Sequence, residues 1–145
     1  MVPALRTVGN MIVGSNNACA KLVEMGLLES IKTVINCQKA SIVKEVFWCV
    51  SNLVASTHEI TIEVLKDTDL HQEIIKSVNH VDLNVRYEAM YTVCHATHQL
   101  TSDSVFNFFN SACQHIFASG NSILLAQDTK PDLKMDIVET YLKFF

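Results

Sequence analysis

The stretch from Ser41 to Ser56 reads SIVKEVFWCVSNLVAS, and the fold is decided by how it is read. Wound at about 100° per residue, it puts Val43, Val46, Phe47, Val50, Leu53 and Val54 on one broad apolar face. Lys44, Glu45, Trp48, Ser51 and Asn52 share the other. Trp48 stands out, because a tryptophan that only filled a core belongs with the valines. Here it lies one turn before Asn52 and three residues after Glu45, on the polar stripe. That stripe reads as a recognition surface.

The same wheel recurs on both sides of this helix. With Asn10 at the Asn52 position, Arg6 takes the Trp48 position, and Leu5, Val8, Met11 and Ile12 turn inward. With His95 there, Tyr91 takes the Trp48 slot and Glu88 the Glu45 slot, with Ala89, Met90, Val93 and Ala96 inward. With Lys143 there, Glu139 takes the Trp48 slot, and Ile137, Val138, Tyr141, Phe144 and Phe145 turn inward. Anchor positions 10, 52, 95 and 143 are separated by 42, 43 and 48 residues. All-helical periods of about 40 to 47 residues are those of armadillo and HEAT solenoids.

The segments PALRTVGNMIVGSNN and IVKEVFWCVSNLVAS carry a family resemblance. They are similar to the third helices of successive armadillo repeats in importin-alpha, the adaptor that carries nuclear-localisation peptides. The pairing of Arg6 with Asn10, then of Trp48 with Asn52, resembles that family's sixth and seventh repeats. The resemblance implies an all-α, right-handed armadillo superhelix of about three and a half repeats. Its units are residues 1–15 (the third helix of a truncated repeat), 16–56, 57–100 and a divergent terminal repeat, 101–145. It also implies a nuclear-import adaptor found in cytoplasm and nucleus, which takes basic nuclear-localisation peptides in a concave groove. The peptide-binding set would be Arg6, Asn10, Glu45, Trp48, Asn52, Glu88, Tyr91 and His95. The family's basic importin-beta-binding segment is missing from the chain. Met1 opens directly on a third helix, so the chain reads as a fragment or truncated paralogue whose apolar residues 5–12 lie uncovered and favour self-association.

The chemistry expected of such a groove is physical. An amide such as Asn10 or Asn52 both donates to and accepts from one peptide unit of an extended chain. Aromatic walls pack the stem of a Lys or Arg, and Glu45 and Glu88 meet its tip. His95 offers one donor and one acceptor only while neutral. Plainer roles stay open: Trp48 as a structural ring over a helix seam, Asn52 as a bridge between helices, the glutamates as solvated charges. The alternative function is a degenerate armadillo scaffold that binds another protein and not nuclear-localisation signals.

Composition excludes other classes. A hydrophobic content of 49% with 18% charged residues is ordinary for a globular domain. No apolar run reaches the roughly 18 residues of a membrane span, and the first 14 residues lack the pattern of a signal peptide. The expected setting is therefore intracellular. A net charge of −4, without a cluster of Lys and Arg, argues against nucleic acid and for a basic partner. Cys19, Cys37, Cys49, Cys94 and Cys113 are odd in number and form no C-x-x-C, so they read as reduced, mostly buried thiols. No nucleophile motif, phosphate loop, paired-carboxylate motif or metal spacing marks an enzyme, and no cofactor is implied.

Between the anchors, Asn16 and Asn17 are expected to break the first helix, with short helices over 18–25 and 27–37 before the Trp48 helix. Further helices are expected from residue 57 to 65 and from 70 to 78. Residues 105–117 are aromatic-rich, with Phe106, Phe108, Phe109 and Phe117, and 120–130 read as a long loop, which explains the 48-residue interval, before Pro131 opens the last helix.

Overall fold

Side-chain oxygens start many of the helices. In the computed structural model, which describes residues 1–144, Ser15 Oγ accepts from Ala18 N at 3.1 Å and Thr57 Oγ1 accepts from Ile60 N at 3.3 Å. Asp67, Asp82 and Thr101 do the same for later helices, satisfying amides that a first turn leaves without partners. The resulting order is α1 (Val2–Gly14), α2 (Asn16–Glu24), α3 (Leu27–Ile35), α4 (Ala40–Ser56), α5 (His58–Lys66), α6 (Thr68–Ser77) and α7 (Leu83–Gln99). Then come α8 (Ser102–Phe109), a 3-10 turn (Asn110–Ala112), α9 (Cys113–Leu125) and α10 (Pro131–Leu142). Among the described residues there is no strand.

The first break falls at Ser15, one residue before the expected asparagines, because an extended serine can cap while Asn16 and Asn17 enter α2. Gly26 closes α2 as expected, with a φ of 90° that suits only glycine at low cost.

The long helices α1, α4, α7 and α10 lie side by side, with α4 packed most extensively against α7 and next against α1. All six apolar residues read on the face of α4 are buried, as are Ala89, Met90, Val93 and Ala96 of α7. The shorter helices α2, α3, α5 and α6 cover the outer sides of this row. Polar bonds tie each long helix to the one before it. Cys49 Sγ donates to Leu5 O (3.2 Å), Gln99 Nε2 to Ala55 O (3.0 Å), and Lys143 Nζ to Thr97 O and Leu100 O (2.7 and 3.1 Å). Lys143, read as standing in the slot of a groove amide, thus caps the C-terminal carbonyls of α7.

The bare face expected on α1 is largely covered. Ile12 is 2% exposed, Leu5 and Val8 pack half-buried against the core, and only Met11 of the four is open, because α4 packs along the helix and α2 folds back across it.

Gly9 is buried beneath Trp48, and a Cβ built there would stand 2.2 Å from the six-membered ring of the indole. Gly9→Ala gains about 0.5–1 kcal/mol of helix propensity but overpacks the seam by about 1–3 kcal/mol. Overpacking wins, so a net loss of about 1 kcal/mol is expected. As Trp48 is the single tryptophan, a shift of its emission should accompany the loss; an unshifted spectrum with raised stability would contradict this packing.

The terminal region departs from expectation. The aromatic-rich segment 105–117 is shared between α8, the 3-10 turn and the start of α9, and the expected loop over 120–130 is helical as far as Leu125. Gly120 lies inside α9, where it makes room for Tyr141: a Cβ there would stand 2.2 Å from the phenol oxygen. Tyr141 donates to Phe117 O at 3.1 Å, and the two rings meet edge-on at 4.7 Å. This glycine serves a close approach between helices and not a turn. Val138, expected inward, is 45% exposed, while Ile137 is buried; Phe145 lies outside the described residues.

Candidate functional site

On α4, Glu45, Trp48 and Asn52 fall at i, i+3 and i+7, along one stripe of the helix. Because α1 and α7 flank α4, their matching stripes adjoin it. Two neighbouring clefts result. The first, about 300 Å³, is walled by Arg6 and Asn10 of α1, Glu45 and Trp48 of α4, and Glu88 of α7. The second, about 230 Å³, is walled by Trp48 and Asn52 of α4 and by Glu88, Tyr91 and His95 of α7. Trp48 and Glu88 border both, so the eight residues singled out from sequence line one continuous groove.

Their states differ from expectation in instructive ways. Glu45, expected as an open carboxylate, is 5% exposed and held by Arg6, whose Nη2 and Nε donate to its two oxygens at 2.9 and 3.1 Å. The Arg6 guanidinium keeps this carboxyl below the usual carboxylate range. Trp48 is half-buried on Gly9, so it is both a seam residue and a groove wall. The Asn52 amide nitrogen is buried with no hydrogen-bond partner among the described residues. His95 Nδ1 lies 3.2 Å from Ser51 O; a carbonyl only accepts, so Nδ1 carries the proton, and in the neutral ring Nε2 remains as an acceptor. Tyr91 stacks at a tilt on His95, with centroids 5.8 Å apart, and its hydroxyl is pushed up by burial and by the Asp132 carboxylate beside it.

Glu88 is the carboxylate on α7 left uncommitted. Its side chain makes no ion pair or hydrogen bond among the described residues, and burial pushes it above the usual carboxylate range, partly offset by Lys44 and Lys130. The folded carboxyl therefore holds its proton more tightly than the unfolded one. Its contribution to stability is lost as pH rises from the ordinary glutamate range through the raised value. Glu45 has the opposite sign, favouring the fold at neutral pH and ceasing to do so on acidification. Glu88→Gln should accordingly raise stability at neutral pH and remove the downward slope; denaturant melts from pH 4 to 7.5 check this, and a variant less stable at neutral pH would refute it.

Lys44, Ser51, Lys130 and Asp132 also line the groove and were not singled out by sequence. Lys44 shares the turn before Trp48 and was visible on the same stripe. Lys130 and Asp132 arrive from the junction of α9 and α10, which no helical period reports. Three cysteines, Cys19, Cys49 and Cys94, are buried, and burial pushes the thiols of Cys49 and Cys94 up to about 11 and about 12.

A row of long helices, each backed by short ones and tied to its predecessor about one period away, defines an armadillo-repeat solenoid. No protein-family model matches the sequence, and no curated protein matches it. Solved structures do match in fold. A designed armadillo repeat protein in complex with the peptide (KR)4 superposes with a TM-score of 0.70 at 17% identity over 97% of this chain. A computationally designed armadillo repeat protein for modular peptide recognition gives 0.70 at 16% identity, and an engineered protein gives 0.80 at 14%. The chain spans 56% of the length of each.

Proposed function

We propose that this chain is an armadillo peptide-binding scaffold that holds an extended segment of a partner protein across α1, α4 and α7. Residues 16–56 and 57–100 are the repeats that form most of its groove. The observation that carries this reading is the Asn52 amide in the wall of the second cleft next to Trp48, which borders both clefts; the amide nitrogen is buried and has no partner among the described residues. A buried donor without a partner costs about 1–3 kcal/mol, and a turn of the amide toward the cleft lets a peptide carbonyl recover that cost on binding. An extended peptide presents such a carbonyl at every residue, and Trp48 gives the adjoining side chain a flat wall.

The narrower reading is an adaptor of importin-alpha type, resident in cytoplasm and nucleus, with basic nuclear-localisation peptides as cargo. It is supported by the Arg6/Asn10 and Trp48/Asn52 series, by the uncommitted Glu88, and by the (KR)4 peptide bound to a protein of the same fold. Against it stand Glu45, already neutralised by Arg6, and the cations Lys44 and Lys130 in the same groove. The broader scaffold is therefore the conclusion. Selection from a random peptide library tests it: hits should compete with one another and be lost in Trp48→Ala. Hits indifferent to both Trp48→Ala and Asn52→Ala would overturn it, and enrichment of lysine-rich sequences would favour the narrower reading.

A further inference from the structure

Glu88 is a groove carboxylate that no cation among the described residues holds, and unlike Asp132, which stands by the Tyr91 hydroxyl, it borders both clefts, so what stands near it decides which side chain binds there. The groups that face it come from several elements. Lys44 and Glu45 project from α4, Tyr91 and His95 from its own helix, and Lys130 and Asp132 from the start of α10. Arg6 is engaged with Glu45. Lys44 is shared, with its Nζ 3.6 Å from a Glu45 oxygen. Lys130 makes no ion pair among the described residues, yet it lines the second cleft with Glu88 and a third of about 150 Å³ between α7 and α10.

Its mounting is firm. Thr129, the preceding residue, is 6% exposed; its hydroxyl donates to Ile123 O at 2.8 Å and lies 3.3 Å from Tyr87 Oη. Lys134 Nζ closes the other side of the junction on Ala126 O at 2.9 Å. The backbone at residue 130 is thus fixed beside α7, while the exposed lysine stem is free to swing over the cleft.

We infer that Lys130 is the groove's resident cation, a built-in competitor for the Glu88 subsite that a lysine or arginine of a bound peptide must displace. The inference rests on the peptide-binding reading and adds to it a residue that sets specificity. It makes the Glu88 subsite discriminate against a basic side chain, and it accounts for a groove that keeps a free carboxylate without a strongly negative field. The attraction of Glu88 for Lys130 is that of a partly screened pair, so removing the lysine is worth about a two- to fivefold change in affinity for a cationic side chain.

The test has two arms. In the first, the carboxyl carbon of Glu88 is followed by NMR from pH 3 to 8 in wild type, Lys130→Gln and a matched charge removal on α6, Lys76→Gln. The Glu88 titration should move to higher pH in Lys130→Gln alone; an unmoved curve, or an equal shift in both variants, would overturn the inference without any peptide being present. In the second, fluorescence anisotropy of a labelled lysine-rich peptide should show about two- to fivefold tighter binding to Lys130→Gln and a larger gain for Lys130→Glu, shrinking in high salt. Unchanged affinity for bound peptide would also overturn it. A peptide that binds no variant, while Glu88 still titrates in step with Lys130, would count against the peptide-binding reading and leave the resident cation standing.

Discussion

Alanine in place of Phe47 is expected to lower the unfolding free energy by about 3–5 kcal/mol, the usual cost of emptying a fully buried aromatic site. The ring is completely buried in α4, the helix packed against α1, α3, α5 and α7. In a solenoid each unit is held only by its neighbours, so a cavity in the middle helix weakens two interfaces at once. Chemical denaturation should therefore show a lower midpoint and, if the interfaces separate, a smaller slope than wild type. A loss under about 1 kcal/mol would mean that the neighbours collapse into the space and that α4 is not the hub of the fold.

The second large effect concerns binding. Trp48→Ala should weaken a peptide selected by this groove by about 1–3 kcal/mol, since a few central residues carry most of the energy of a recognition surface. Asn52→Ala should cost a similar amount by removing the amide that fixes the register of the backbone. Glu139→Ala should change little, because Glu139 lies exposed on α10 beside His98, at 3.3 Å. Isothermal titration of the three variants, with circular dichroism to confirm folding, decides the matter; equal losses at all three positions would exclude a localised groove.

Periodicity reported well whatever depends on one helix and its immediate neighbours. The inward faces of α4 and α7 follow directly from 3.6-residue spacing, because stacking buries the same wheel angle in each unit. It failed where a partner from another helix changes a residue's state. Glu45 and Ser51 sit on the polar stripe yet are buried, since Arg6 reaches over from α1 and His95 from α7. Gly120 read as the start of a loop that lengthens the last interval, and its true reason, the Tyr141 ring, lies twenty-one residues further on. Lys130 and Asp132 were invisible as groove residues because a helix junction delivers them, and no spacing rule encodes where a junction ends up.

The seat of Trp48 on Gly9 carries a mechanical consequence. With no side chain between them, the indole rides on the bare backbone of α1, and a tilt of that helix against α4 is passed to the ring without a compliant layer to absorb it. The angle between α1 and α4 therefore sets the position of the indole, and with it the width of the cleft that Trp48 walls.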